Sequence, residues 1–193
     1  MGIDRPIDGM DIAELKAELE TLHSASFGWA LYCCRRDFAE AEEILQTVYL
    51  KILEGKACFR GEAGLKTWLF AVIRKTATSA HRKNLLRRLR WDGSDQATLI
   101  SRFEQPGVAF EKSEAQAVFQ NALKSLPRRQ REALHLVFYQ DLSLSEAAEV
   151  MGISIGSARQ HYDRGKKRLR ECLGQTESFY GIDWRGKENP GAV

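Results

Sequence analysis

The sequence predicts an all-α fold: two small helical domains joined by a flexible linker, the second carrying a helix-turn-helix. Three observations predict it. Apolar residues recur every three or four positions almost throughout, without the two-residue alternation of a strand. Around residues 91 to 112 that period gives way to scattered Gly, Ser, Asp and Pro. Beyond it, DLSLSEAAEVMGISIGSARQHYDRGKKRLREC reads as two helices joined by a short turn containing glycine.

Residues 10–90 form the expected first domain. Ile12, Leu15, Leu19 and Leu22 make an apolar stripe, and Phe27, Ala30 and Leu31 continue into a second helix that breaks near Asp37. A third helix turns Ala41, Ile44, Leu45, Val48 and Ile52 inward and ends before Gly55, while Glu40, Glu42 and Glu43 open its outer face. CFRGEAG, from Cys58 to Gly64, is a loop, because two glycines in four residues cost a helix too much. A long helix follows, with Leu65, Trp68, Leu69, Val72, Ile73, Thr76 and Ala80 inward and Arg74, Lys75, Ser79, Arg82 and Lys83 facing away.

The second domain, 113–173, opens with Ala115, Val118, Phe119, Ala122, Leu123 and Leu126 on one helical face. Pro127 starts the next helix, with Ala133, Leu134, Val137 and Phe138 inward. Leu142, Ser143 and Glu146 set up a capping box with its apolar neighbour, and Gly152 suits a left-handed stop. Ser154 caps the final helix, whose inward stripe is Ile155, Ala158, Tyr162, Leu169 and Cys172. The opposite face gathers Gly156, Gln160, Asp163, Arg164 and Lys167, flanked by Ser157, Arg159 and His161. Arg and Gln there suit guanine and adenine edges, and Lys, Ser and His suit phosphates. Residues 174–193 hold Gly and Pro and read as a tail, either frayed or docked through Phe179, Tyr180 and Trp184.

Charge is ordinary in sum, a net +3, but not in placement. Residues 11 to 62 carry ten acids against six Lys or Arg, whereas residues 74 to 90 carry seven Lys or Arg and no acid. One surface therefore suits a polyanion and another a different partner. No apolar run reaches the length of a membrane span, and the N-terminus has no cationic-then-apolar signal, so a cytoplasmic location without membrane insertion is expected. Cys33, Cys34, Cys58 and Cys172 have no paired CxxC spacing. They fit buried reduced thiols better than a metal site, and no cofactor or enzyme activity is expected.

Three blocks now carry a resemblance: AEAEEILQTVYLKIL (Ala39 to Leu53), FRGEAGLKTWLFAVIRKTA (Phe59 to Ala77), and LPRRQREALHLVFYQDLSLSEAAEVMGISIGSARQHYDRGKKRLRE (Leu126 to Glu171). In this order and separation the chain resembles the extracytoplasmic-function (ECF) sigma factors of the sigma-70 family, small two-domain initiation subunits of bacterial RNA polymerase. The resemblance implies that Glu40, Glu42, Glu43, Gln46 and Tyr49 meet the coiled-coil of the polymerase clamp. It implies that Phe59 and Arg60 belong to the loop that captures a flipped minus-ten base; Phe59 is alternatively a plug beneath that loop. Arg74, Lys75, Arg82 and Lys83 would hold phosphates of the opened strand. Ser157, Arg159, Gln160, His161, Arg164 and Lys167 would read or hold the minus-thirty-five element. Leu134 and Phe138 would offer apolar surface to the tip of the polymerase flap. Members of this class are typically held by an anti-sigma factor, which makes such a partner an expectation.

The chain departs from the family pattern at three places. Lys75 stands where many members have Asn, Thr47 where Glu is usual, and Asp163 where a phosphate-facing helix rarely carries an acid. The other reading of the whole is a free-standing helix-turn-helix regulator with residues 1 to 90 as a sensing or dimerising domain. It leaves the FRGEAGLKTWL loop and the acidic helix unexplained.

Overall fold

The computed structural model describes residues 12–91 and 114–180, with side chains described over 13–87 and 118–174. Its helices are α1 (Ile12–Thr21), α2 (His23–Cys33), α3 (Phe38–Leu53), α4 (Leu65–Trp91), α5 (Glu114–Ser125), α6 (Arg128–Phe138), α7 (Leu144–Met151) and α8 (Ile155–Tyr180). The expected linker falls almost wholly outside the described residues, as does Trp184. The chain divides into two units: Met1–Gln105 with Ser145–Ile153, and Pro106–Leu144 with Ser154–Val193. Almost all of α7 therefore groups with the first unit.

In the first unit α2, α3 and α4 pack on one another and α1 leans on α2. Trp29, Ile44, Leu45, Val48, Ile52, Leu69, Phe70 and Ile73 fill the interior. A buried indole N–H needs a partner, and Trp29 Nε1 donates to the Phe70 carbonyl at 3.0 Å. The inward set expected for α3 is buried in full. On α4 the buried line is rotated from the expected one: Thr67, Phe70 and Ala77 are buried, while Trp68 and Val72 are only half-buried. Both α2 and α3 pack on α4, and its buried arc is wider than a single stripe.

Arg35 and Arg36 close α2 in the left-handed region, at φ 55° and 67°. Asp37 then starts α3, its carboxylate accepting from the Glu40 backbone N–H at 3.0 Å. Gly55 ends α3 at φ 69°. The Thr67 hydroxyl donates to the Glu146 carboxylate at 3.3 Å, within the same unit as α7.

In the second unit α6 and α5 both pack on α8. Their meeting is close: an ideal Cβ on Gly165 would lie 3.1 Å from Leu134 Cδ1 and 3.3 Å from Gln130 Cβ. Gly152 takes φ 63° at the end of α7, as its position demands. Ser154 Oγ accepts from the Ser157 backbone N–H at 3.2 Å and so caps α8. Three expectations fail here. Phe138, expected inward, is 49% exposed at the last position of α6, while Leu136 is buried. Ile155 is 52% exposed rather than inward. As the first residue of α8 it projects back over the turn before the helix, beyond the reach of the core. The helix also continues to Tyr180, so residues 174–180 belong to α8 and not to a tail.

Candidate nucleic-acid interface

α3 and α4 lie side by side, and their outward faces carry opposite charge. On α3, Glu42, Glu43 and Gln46 are exposed. Glu40 is different: its Oε1 lies 3.0 Å from His81 Nδ1 on α4, and it is only partly exposed. That carboxylate ties two helices together before it meets any partner. Tyr49 is half-buried, its hydroxyl 3.2 Å from His23 Nδ1, and burial pushes its phenol upward from the ordinary range. Sequence spacing missed Leu50 and Leu53, which continue the face of Glu43 and Gln46 at 58% and 46% exposure. Leucines at helical positions outside the inward set were the available signal.

On α4, Lys75, Arg82 and Lys83 are exposed and Arg74 is half-buried. The loop before it holds Arg60 in solvent and turns at Gly61 with φ 72°. Phe59 is half-buried, its ring tilted against Trp68 at 5.4 Å between centroids. That contact fits the plug reading. Trp68 is the wall Phe59 leans on, not an interior residue.

On α8, Ser157, Arg159, Gln160, Arg164 and Lys167 are all exposed, on the face opposite Ala158 and Gly165. His161 is half-buried, and the Ser157 hydroxyl lies 2.9 Å from that of Ser154. Asp163 is exposed among these cations. The expected apolar surface on α6 needs one correction. Leu134 is buried over Gly165 and serves the core, because α6 and α8 approach closely there. Phe138 is exposed, as is Tyr139, which ends the Leu134 to Tyr139 segment that the resemblance assigns to the flap. Phe138 stacks on Tyr162 at 5.7 Å, Tyr139 stacks on His135 at 5.3 Å, and Lys166 lies over the Tyr162 ring.

Of the four free cysteines only Cys34 is fully buried. Burial first, then the negative charges of Glu40 and Asp37, push its thiol up to about 12. No group of three His, Cys, Asp or Glu side chains among the described residues could hold a metal ion. No described helix is long and apolar enough to cross a membrane.

Known proteins share this arrangement. The Sigma-70 region 2 family matches residues 20–87, and Sigma-70, region 4 matches residues 122–171. The ECF RNA polymerase sigma factor EcfG of Rhodopseudomonas palustris (strain TIE-1) is 32% identical over 137 residues, 69% of this chain and 71% of that protein. The ECF RNA polymerase sigma factor SigX of Bacillus subtilis (strain 168) is 27% identical over 158 residues, 80% of each chain. The sigma factor RpoE of Bartonella quintana, crystallised with the anti-sigma factor NepR, superposes with a TM-score of 0.63 at 26% identity. That match covers 84% of this chain and 98% of RpoE. With both conserved sigma regions matched in order along one all-helical chain, this protein belongs to the ECF sigma factors of the sigma-70 family.

Proposed function

We propose that the chain binds core RNA polymerase and directs it to specific promoters, with residues 10–90 gripping the polymerase clamp and the minus-ten element and residues 113–173 reading the minus-thirty-five element. It contributes no bond-making chemistry of its own. The observation that carries this reading is the charge division within the first unit: exposed Glu42 and Glu43 on α3 against exposed Lys75, Arg82 and Lys83 on neighbouring α4. Short acids on an outer helical face orient a basic partner and speed its capture. The α4 cations are suited to backbone phosphates, whose attraction needs no base identity.

In this reading Gln46, Leu50 and Leu53 continue the clamp contact of Glu42 and Glu43, and Glu40 shapes it from within. Arg60 and the loop around Phe59 lie at the opened strand. Arg159, Gln160 and Arg164 reach base edges, with Ser157, His161 and Lys167 at phosphates. Phe138 and Tyr139 offer the apolar surface for the flap. Joined modules bind one enzyme and two DNA elements together, so each weak contact gains from effective concentration. An inhibitory partner comparable to NepR is the expected control.

Run-off transcription with core polymerase tests the proposal. Addition of the chain is expected to produce defined transcripts from a genomic promoter pool. Duplex binding without polymerase capture, and no defined start, would instead favour the free-standing regulator.

A further inference from the structure

α4 outlives its own core. Its 27 residues span about 40 Å, yet the last buried one among those whose side chains are described is Ala77. Ala80 and His81 are half-buried, and every residue from Arg82 to Arg87 is exposed. Within that stretch Leu85 is 56% exposed and Leu86 55%. Counted from Ile73 at ~100° per residue, Leu85 lies at about 120°, at the edge of the buried arc that Thr67 marks, and Leu86 at about 220°, outside it; both stand past the point where described residues of α4 are buried. Arg74 and Lys75 lie on the same side, at about 100° and 200°, and Arg82 lies between the leucines at about 180°. From Arg74 onward the outward strip of α4 therefore carries cations, with two exposed leucines beside Arg82.

Two adjacent leucines facing water cost free energy unless a partner covers them. The charge around them selects the partner. Between Glu62 and Asp92 there are eight Lys or Arg and no acid, so the surface suits a polyanion. Of polyanions, a DNA duplex also presents apolar groups at helix-accessible depth: the C5-methyl of thymine projects into a major groove wide enough for an α-helix. We propose that Leu85 and Leu86 are specificity-determining residues that pack on thymine methyl groups of duplex DNA, while Arg82 and Lys83 hold the flanking phosphates. This rests on the reading that the outward face of α4 meets DNA, and it moves Arg82 and Lys83 from the opened strand, where the resemblance put them, to the adjoining duplex.

The test compares alternating poly(dA-dT) with poly(dA-dU), which differ only by that methyl. Anisotropy is measured with the full chain, alone and assembled with core polymerase, over a salt series. The wild-type chain is expected to bind the thymine duplex about three- to tenfold more tightly, the worth of one or two buried methyls. L85A/L86A, which keeps helix propensity high, is expected to erase that preference with uracil-duplex affinity and salt slope unchanged. R82A/K83A is expected to weaken both duplexes equally and flatten the salt slope by about two units. Equal affinity of the wild type for both duplexes overturns the proposal, as does equal weakening of both by L85A/L86A. Leucine losses confined to polymerase capture or to self-association overturn it too, and identify the other occupant. If R82A/K83A also changes nothing, the DNA-facing reading of α4 fails with it.

Discussion

Glu40 and Cys34 show how a residue's neighbours decide its work. Sequence groups Glu40 with Glu42 and Glu43, but the His81 ring at 3.0 Å gives it a task inside the unit. Burial, helped by this carboxylate and Asp37, pushes the Cys34 thiol up to about 12 from an ordinary 9. The folded chain thus keeps that proton more tightly than the unfolded chain does. The stabilisation is complete below about pH 9 and is lost as pH climbs toward 12. Urea midpoints should therefore fall through that window, and C34A should remove the part of the fall due to this group. At pH 8 Cys34 should resist a thiol reagent until the protein is unfolded. Gly165 is a second case. A methyl added there meets Leu134, itself buried, and Gln130. G165A gains about 1 kcal/mol of helix propensity but forces repacking, so a net loss of roughly 1–2 kcal/mol is expected by urea unfolding.

Helix by helix, spacing found the elements and mistook some faces. The inward set of α3 is right, because its two neighbours cover that stripe and no more. On α4, against which α2 and α3 pack, the buried arc widened to include Thr67 and Phe70. On α8 the expected stripe holds in part: Ala158 is buried, Tyr162, Leu169 and Cys172 are half-buried, and Ile155 is exposed where the helix has only begun. The outward face of α8 was legible throughout, since exposed Arg159, Gln160, Arg164 and Lys167 need only helical geometry to align. Their roles separate by experiment. R159A should cost ~1–3 kcal/mol on a matched upstream site and relax preference at one base position. K167A should weaken all sequences alike and lower the salt slope by about one unit. A uniform loss with R159A would move that residue to the phosphates.

Across the whole chain, the proposed function depends on two charged faces of one unit serving different partners. Charge reversal at Glu42 and Glu43, both exposed, should weaken capture of core polymerase while leaving duplex binding unchanged or improved. Pull-down with core enzyme and anisotropy on duplex DNA together check this; parallel losses in both would show a damaged fold. The helices, the cap at Ser154, the family and the charge division were all determined by sequence, because each depends on local spacing or composition. Tertiary structure alone decided that Leu134 is interior, that Phe138 and Tyr139 are exposed, that Glu40 belongs to His81, and that Leu85 and Leu86 face solvent. Periodicity names the faces of a helix, but only the neighbours that arrive from distant sequence determine which of them are covered.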